Sequence, residues 1–466
     1  MIKKISFDSG GMDMNIIIAG GGRVGSALVR QLAAEGHDLT MIDEDSSVLE
    51  STVERFDIMG LHGNCASMES LRQANIQDAD LLIAVTNADE VNLLCCTTAH
   101  SMNPKLHTIA RIRNPEYAEQ VYKMRDVFGL SMAINPEKQA AIEIERLLKF
   151  PGFLRRDIFA KGRAEIVELR IDEKSKLKDV SLMDMSSIIK CRVLLCAVLR
   201  NGTAIVPNSG SFVLKENDRI FVTAPTENLA TLLNNLGIIT RRVRSVMLCG
   251  GGRVAHYLAA RLEKGGIKAR IIDSDMDRCT ELSEQLAKTQ VSHGDCSDLE
   301  LLEAEGLSQC DAIVSLTGQD ELNMIISLYS SGRGVPQVIT KLSQVGNRGI
   351  LDSLSLGSVI CPKDLCCNNI VRYVRAMQNQ TGAALSVHAI ADGQVEAMEF
   401  LVDENTKNCG VPLKKLKPRA NVLIACINHG SQTEIANGDS TFQKGDTLVV
   451  VTSGRGVLKQ INDIFA

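Results

Sequence analysis

The chain has 466 residues, of which 45% are hydrophobic and 3% aromatic, with no tryptophan. A net charge of −5 and an isoelectric point near 6.0 give no electrostatic signature of nucleic-acid binding, and so few aromatic residues argue against base-stacking surfaces. This length predicts roughly two to four domains.

No apolar run approaches the roughly 20 residues of a membrane span. Residues 1–13 lack the apolar core of a signal peptide, and we expect them to be a disordered extension with Met14 as the natural beginning. The sequence therefore predicts a soluble, cytoplasmic protein.

The fourteen cysteines raise the question of disulfides or a metal site. No pair has Cys-x-x-Cys spacing, and the vicinal pairs at 95–96 and 366–367 are poor disulfide partners. The cysteines inside apolar runs, where the residue behaves as a small hydrophobic side chain, are Cys191, Cys196, Cys249 and Cys426. We predict reduced, structural thiols and no metal site.

A glycine-rich turn near the N-terminus is the most informative motif. The apolar, β-branched run at 16–19 predicts a strand buried on both faces, and Gly20, Gly22 and Gly25 follow in the spacing Gly-x-Gly-x-x-Gly. In dinucleotide-binding folds these glycines permit a tight turn, let backbone N–H groups approach a pyrophosphate, and allow close helix packing. The turn therefore predicts a phosphate site at a helix N-terminus.

The helix and strand after this turn support the same interpretation. Apolar residues recur with helical spacing up to Gly36, which ends the helix, and a second apolar strand at 39–42 ends at Asp43. A carboxylate at that place can accept a hydrogen bond from a ribose hydroxyl, and it disfavours a 2′-phosphate. We therefore predict NAD(H) or another adenine nucleotide rather than NADP.

The second half of the chain repeats the motif. The first two glycines and the acid return as Gly250, Gly252 and Asp273, while the third glycine becomes Ala255. Alanine is accepted there in many dinucleotide folds, so we expect the second pocket to be competent. Both glycine turns also contain an arginine, which can contact phosphate oxygens or form a structural ion pair.

Further strands in each copy place polar residues at the same sheet edge. In the first copy they are predicted at 56–61, 79–86 and 106–111, and ligands of such sheets bind beyond the carboxyl ends of the strands. We interpret Asp89 and Asp320 as helix caps or solvated loop residues. The residues predicted to bind the cofactor are Gly20, Gly21, Gly22, Arg23, Val24, Gly25, Asp43, Asn64, Cys65, Thr86 and Arg111 in the first copy, and Gly250, Gly251, Gly252, Arg253, Val254, Asp273, Asp295, Cys296, Thr317 and Lys341 in the second.

Each nucleotide-binding copy is followed by an apolar helix and then by a small α+β module. The helices, predicted at 135–148 and 361–377, start with a proline in the first turn. Their apolar stripe can belong to a core or can pack on a partner subunit. Each module of alternating strands is predicted to end in a closing helix, at 227–236 in the first and up to Ile464 in the second. The modules show no nucleophile–base pair and no cluster with metal-ligand spacing, and His388 and His429 are predicted to be surface residues.

These features favour a sensor over an enzyme. A dehydrogenase needs a substrate domain that brings an acid or a base to the nicotinamide, and no residue predicted here is catalytic. An NAD-dependent oxidoreductase with a duplicated cofactor domain is the alternative. A scaffold with degenerate pockets is a third possibility.

From residue 14 to the C-terminus the chain resembles the TrkA family, whose members are the peripheral regulatory subunits of bacterial Trk potassium uptake. This family is in turn similar to the RCK domains (regulators of potassium conductance). The duplicated order of the two domain types is the most specific feature. The motifs that carry the resemblance are residues 18–25, Ala84-Val85-Thr86 with Asp89-Glu90-Val91-Asn92, Ala110-Arg111, and the Pro136-Glu137 helix that ends at Pro151-Gly152.

The resemblance implies that NAD(H) and adenine nucleotides such as ATP or ADP bind the Rossmann-like lobes. It implies that the helices of Pro136 and Pro362 are crossover and dimerisation elements, and that the chain forms a homo-oligomeric ring. The partner would be a membrane potassium-translocating subunit of the TrkH or TrkG type at the inner face of the cell membrane. Asn64 stands where many relatives have Asp and Ala255 stands where they have Gly, so the adenosine contacts of either lobe can differ from the pattern of the family.

The predicted fold class is α/β, with two Rossmann-like doubly wound parallel sheets, each followed by a small α+β module of the RCK C-type, in a tandem duplication. The predicted segments after the extension at 1–13 are 14–135 and 244–361 for the nucleotide-binding lobes, 136–159 and 362–385 for the crossover helices with their linkers, and 160–240 and 386–466 for the modules.

Overall fold

A computed structural model describes residues 14–150, 152–207, 209–238, 242–344, 354, 356–377, 384–430, 432–453, 458 and 460–465. The extension predicted at 1–13 lies outside these residues. The chain divides into two compact units. The first contains the residues up to Gln139 together with a helix that begins at Pro362, and the second contains the rest.

The first unit is built on a six-stranded parallel sheet. Its strands are β1 Asn15–Ala19, β2 Asp38–Asp43, β3 Met59–His62, β4 Leu81–Ala84, β5 His107–Arg111 and β6 Met132–Ile134. They lie in the order β3-β2-β1-β4-β5-β6, which is that of a dinucleotide-binding sheet, and the order reverses between β1 and β4. A parallel sheet of this kind places its ligand at that reversal.

Helices cover both faces of this sheet. They are α1 Arg23–Ala34, α2 Ser46–Val53, α3 Met68–Gln73, α4 Asp89–Met102, α5 Pro115–Lys123 and the start of α6 Pro136–Lys149. Residues of β1 alternate between two cores, since Ile16 and Ile18 join the core that contains α1, while Ile17 and Ala19 join the core that contains α4. Burial on both faces explains why β1 is apolar from Ile16 to Ala19.

The second lobe repeats this topology within the second unit. Its strands are β12 Ser245–Cys249, β13 Lys268–Asp273, β14 Gln290–His293, β15 Ala312–Ser315, β16 Gln337–Lys341 and β17 Ser358–Ile360, in the order β14-β13-β12-β15-β16-β17. Its helices are α9 Arg253–Lys264, α10 Met276–Gln285, α11 Leu299–Ala304 and α12 Asp320–Gly332.

The helix after each lobe packs on the lobe of the other copy. The helix of the second copy, α13 Pro362–Met377, joins the first unit, where Ile370 and Val374 lie in one core with β1 and α1. Conversely, the part of α6 from Ala140 onward belongs to the second unit, where the Glu145 carboxylate pairs with Arg261 at 2.5 Å. The two copies have therefore exchanged these helices.

Two antiparallel five-stranded sheets form the modules, both in the second unit. The first contains β7 Arg155–Phe159, β8 Ala164–Arg170, β9 Leu194–Arg200, β10 Thr203–Ile205 and β11 Arg219–Pro225, with helices α7 Leu182–Ile189 and α8 Leu229–Leu236. The second contains β18 Ala384–Ile390, β19 Val395–Leu401, β20 Val422–His429, β21 Gln432–Ile435 and β22 Thr447–Thr452. One apolar cluster, with Phe159 and Phe221 from the first module and Ile390 and Val449 from the second, joins them.

Three predicted details differ from the structure. The third strand begins at Met59 rather than at 56, because the N–H groups of Arg55 and Phe56 still donate to the Thr52 carbonyl at the end of α2. The closing helix predicted up to Ile464 is only a 3₁₀ turn at Ile461–Ile464, and residues 454–457 and 459 of that segment lie outside the described part. The third correction concerns His388.

His388 is not a surface residue. Its side chain is 17% exposed, its Nδ1 lies 3.1 Å from an Asp157 carboxylate oxygen, and its ring lies 4.7 Å from the Phe159 ring. His429 is 36% exposed, with its Nδ1 2.8 Å from an oxygen of Asp446, and it lies at the surface as predicted. The prediction for His388 failed because a histidine in a short alternating strand gives no sign of what will cover it.

Candidate functional site

The glycine turn of the first lobe has one open position and two crowded ones. Gly20 has a φ of +102°, and a Cβ there would lie 2.8 Å from the Thr86 nitrogen. A Cβ on Gly25 would lie 1.9 Å from the Gly20 carbonyl oxygen, so the helix can approach the turn only without a side chain. A Cβ on Gly22 would meet no atom within 4 Å. The turn thus leaves space at Gly22, where dinucleotide folds place the pyrophosphate.

The N-terminus of α1 faces this space with its backbone donors uncapped. Gly22 is the N-cap residue and provides no side-chain cap, and the first turn contains no acidic residue. Arg23 is exposed and makes no hydrogen bond or ion pair with another described residue. Free N–H groups, the helix dipole and a free guanidinium together favour an anion.

Asp43, the last residue of β2, reaches back to the glycine turn. Its Oδ2 accepts a hydrogen bond from the Gly21 nitrogen at 2.5 Å, and its Oδ1 accepts one from the Asp45 nitrogen at 2.8 Å. A carboxylate has about four lone-pair sites, so both oxygens can still accept from ribose hydroxyls. Asp43 therefore fixes the turn and keeps capacity for a ligand.

Thr86 and Arg111 meet on the other side of the reversal point. The Arg111 guanidinium donates to the Thr86 carbonyl at 2.5 Å. Burial, reinforced by the neighbouring Arg113, lowers the pKa of Arg111. Its buried Nε has no hydrogen-bond partner in the described part of the chain. This cation is held in place by the turn after β4 and retains an unused donor.

The loop after β3 contributes mainly backbone. The Asn64 side chain accepts from the Ala66 nitrogen at 2.8 Å and so closes its own turn. The Cys65 side chain is buried in the core under the sheet, with Cys95 and Cys96, and so is the Cys296 side chain in the second lobe. Only the backbone groups of these two predicted cysteines can reach a ligand at the edge.

The second lobe has nearly the same geometry. Gly250 has a φ of +108°, a Cβ on Gly252 would meet no atom within 4 Å, and Asp273 accepts from the Gly251 nitrogen at 2.6 Å. Lys341 occupies the place of Arg111, and its Nζ donates to the Thr317 carbonyl at 2.7 Å. The remaining predicted residues lie at the same edge: Arg253 and Val254 begin α9, Thr317 follows β15, and Asp295 and Cys296 follow β14.

The two glycine turns differ in what binds their middle carbonyl. In the first lobe the Ser26 hydroxyl donates to the Gly21 carbonyl at 2.6 Å. In the second lobe the Arg278 Nε donates to the Gly251 carbonyl at 2.8 Å. His256 takes the place of Ser26, and burial, with the nearby Arg278, lowers its pKa.

Asn92 and Asn323 are structural parts of the edge that the sequence analysis did not identify. Both are fully buried, and each amide binds the turn after the fourth strand. Asn92 Oδ1 accepts from the Thr86 nitrogen at 2.8 Å and from its hydroxyl at 2.7 Å, and Nδ2 donates to the Arg111 carbonyl at 2.9 Å. The repeated Asp-Glu-x-Asn motif was the available signal.

Asp89 and Asp320 have a related structural role. Asp89 is buried and accepts from the nitrogens of Arg113 and Asn114, at 2.8 and 2.7 Å. Asp320 accepts from the Ser343 nitrogen. Both acids therefore tie the first residue of a helix to the loop after the fifth strand. They are neither solvated loop residues nor the N-caps of these helices, which are Ala88 and Gln319.

The described residues show neither a metal cluster nor a disulfide. All fourteen cysteines are free, eleven of them buried, and no group of three or more potential ligands is present in the described part. None of the described helices is long and apolar enough to cross a membrane.

Comparison with protein families gives the assignment. The TrkA-N domain matches residues 16–136 and 246–362, and the TrkA-C domain matches 166–237 and 397–465. The chain belongs to the TrkA family. This confirms the resemblance inferred from the motifs, and the four sheets confirm the predicted fold class.

Relatives of the TrkA family match over nearly the whole chain. It is 32% identical to a Trk system potassium uptake protein TrkA homolog of Archaeoglobus fulgidus, over 97% of this chain and 100% of the relative. It is 29% identical to the Trk system potassium uptake protein TrkA of Haemophilus influenzae, over 97% and 98%.

Solved structures support the fold. The GsuK RCK domain matches with a TM-score of 0.59 at 15% identity, over 97% of this chain and 94% of that one. The GsuK channel bound to NAD matches with the same score and identity, over 97% and 78%. At this identity the likeness shows a common fold.

Proposed function

We propose that this TrkA family chain is a regulatory gating subunit of a Trk-type potassium uptake system. It binds NAD(H), adenine nucleotides such as ATP and ADP, or both, in its two Rossmann-like lobes, and it controls potassium flux through a membrane-embedded partner. It has no catalytic role of its own in this proposal.

The observation that carries the proposal is the open glycine turn, present twice. In each lobe the turn faces an uncapped helix N-terminus at the reversal of strand order, with an exposed arginine in the first turn and a carboxylate at the end of the second strand. The predicted site residues Gly22, Arg23 and Asp43 would then bind phosphates and a ribose, as would Gly252, Arg253 and Asp273. The uncapped donors fit an anionic group and the carboxylate fits a neutral diol.

Potassium uptake is supported by the names of the relatives in Archaeoglobus and Haemophilus, and NAD binding by the NAD-bound GsuK channel of similar fold. The partner would be a subunit of the TrkH or TrkG type, which the chain contacts from the inner face of the membrane as a ring of RCK domains. The predicted domain boundaries, from 14–135 to 386–466, belong to the same proposal.

Gating requires that nucleotide binding differ between two arrangements of the lobes. A nucleotide shifts that equilibrium only by its difference in affinity for the two states. If the nucleotide changes the affinity of the chain for the membrane partner, the partner changes the affinity of the chain for the nucleotide by the same factor, so the Kd of the nucleotide should differ between the free chain and the complex.

The binding test uses Gly22→Ala and Gly252→Ala. Both glycines have ordinary negative φ values, −58° and −63°, and the new methyl group meets no protein atom within 4 Å, so the lobes should fold normally. The methyl group would instead occupy the space of the phosphates. Calorimetric titration with NADH, NAD⁺, ATP and ADP should show binding lost only in the altered lobe, with an unchanged unfolding midpoint.

Asp43→Ala and Asp273→Ala test the ribose contact in the same titration. Wild-type binding in the double alanine variants of either pair would refute the site. For gating, vesicles that contain the potassium-translocating subunit should respond to nucleotide with the wild-type chain and not with the double Gly→Ala chain. Steady oxidation of NADH by any small substrate would instead support the oxidoreductase.

A further inference from the structure

The two modules of the second unit face each other through equivalent surfaces. The 3₁₀ turns Ala160–Gly162 and Ala391–Gly393 occupy the same place in each, and both begin with an alanine at positive φ. Strand registers match too, since Asp157 pairs with Ile166 in the first module as His388 pairs with Ala397 in the second. Asp157 and His388 are therefore the same position of the two copies.

These equivalent positions contact each other. The His388 Nδ1 lies 3.1 Å from Asp157 Oδ1, and both side chains are largely buried. In a pair of two identical modules this position would face itself. Two first modules would bring Asp157 against Asp157, so that neither carboxylate would receive a donor from the equivalent position of the other module. Arg155 also binds Asp157, at 2.8 Å, but from its own strand.

A second contact has the same property. Arg219 of the first module lies 3.3 Å from Asp392 of the second, and both side chains are about 15% exposed or less. Asp392 corresponds to position 161, which is a lysine in the sequence. Arg219 pairs with Arg170 on the neighbouring strand of the first module, as Thr447 pairs with Leu401 in the second. Arg219 and Thr447 are therefore equivalent positions. Arg219 also pairs with Glu168 of its own module at 2.5 Å. Two first modules would not offer Arg219 the carboxylate of Asp392, because the sequence has a lysine at that position, and two second modules would leave Asp392 opposite threonine.

We propose that the His388–Asp157 hydrogen bond and the Arg219–Asp392 ion pair direct the first module onto the second and exclude a pair of two first modules from different chains. An interface between two identical modules would also bury apolar side chains, since both modules contribute such residues to the cluster between them. Apolar burial alone does not discriminate, whereas a like-charge contact costs several kcal/mol. Duplication made this device available because the two copies can differ at the symmetric positions.

Single substitutions can introduce each rejected contact into the native chain. Asp392→Lys brings lysine to Arg219, and His388→Asp brings carboxylate to Asp157. The neutral controls are Asp392→Asn and His388→Asn, which remove the attraction without adding repulsion. If charge discriminates, the Tm of the full-length chain should be lower in each like-charge variant than in its control, by about 3 °C or more.

The reciprocal exchange Asp157→His with His388→Asp restores opposite partners across the interface. Its Tm should lie well above that of His388→Asp alone. Light scattering measures the molar mass of the assembly, which should differ from that of the neutral controls if the modules of a like-charge variant separate.

Equal Tm values for the like-charge variants and their controls would overturn the proposal. If His388→Asp does not fold, the two Asp392 variants still decide, because a lower Tm of Asp392→Lys than of Asp392→Asn would support the charge rule and an equal Tm would refute it.

Discussion

Substitution of Asn92 by Asp tests how the sheet edge of the first lobe is held. The change keeps the volume and the acceptor that binds Thr86, but it replaces the Nδ2 donor by an oxygen. That donor binds the Arg111 carbonyl at 2.9 Å and the Thr86 carbonyl at 3.3 Å in a fully buried place. We expect a less stable first lobe and a displaced turn after β4.

The size of the effect follows from the carbonyl that loses its partner. The Thr86 carbonyl keeps its hydrogen bond from Arg111, whereas the buried Arg111 carbonyl loses the Asn92 donor, which predicts a loss of about 1–3 kcal/mol. The displaced turn touches the glycine turn, because a Cβ on Gly20 would lie only 2.8 Å from the Thr86 nitrogen. Nucleotide binding in the first lobe should therefore weaken as well.

The assay is urea unfolding followed by calorimetric titration with NADH. The matched variant is Asn323→Asp, whose amide makes the same contacts with Thr317 and with the Lys341 carbonyl, at 3.0 Å for the latter. It should damage only the second lobe. Wild-type stability of the Asn92→Asp chain would refute the view that these amides hold the edge.

Three further predictions concern packing, charge and thiols. Ile370→Ala should lower the free energy of unfolding by about 2–5 kcal/mol, because this α13 side chain is fully buried in the first lobe. Glu35→Ala removes a partly exposed ion pair with the same helix and should lower it by less than about 1 kcal/mol. Urea unfolding measures both. Burial alone would raise the pKa of Asp157, but Arg155 and His388 lower this pKa below the ordinary 3.8. The contribution of Asp157 to stability is therefore complete above pH 3.8 and is lost as the pH falls through its pKa in the folded protein. Asp157→Asn should accordingly make Tm less dependent on pH in the acid range. Iodoacetamide should react first with the exposed Cys409 of the native protein, as followed by mass spectrometry. Full burial raises the pKa of the Cys96 thiol, so rapid labelling of Cys96 would contradict the packing.

The sequence was sufficient to predict those elements whose residue pattern agrees with their position in the fold. Ile16 to Ala19 are apolar because both faces of β1 are covered, so a continuous apolar run predicted the central strand. Gly20 and Asp43 could be placed at one turn because the sheet order requires the ends of β1 and β2 to lie side by side. The role of these residues in nucleotide binding stays a prediction.

Side-chain destinations were much less predictable. Arg111 and Lys341 end equivalent strands, but only the structure shows that each donates to the carbonyl of a threonine in the neighbouring turn. Cys65 follows a strand at the ligand edge and nevertheless turns into the core. A residue's place at a strand end determines where its backbone lies, whereas the side chain goes to whichever neighbour completes its hydrogen bonds or packing.

The helix exchange marks the limit of local pattern most clearly. The stripe of α13 that contains Ile370 and Val374 is the same whether the helix covers its own lobe or the other one, so periodicity could not choose between them. The consequence concerns folding. The first lobe completes its core with residues that lie more than two hundred positions later in the chain, so it cannot finish folding until the second lobe has been made. The glycine turn of the first lobe leads into that core through Val24, so its stability depends on the C-terminal half of the chain.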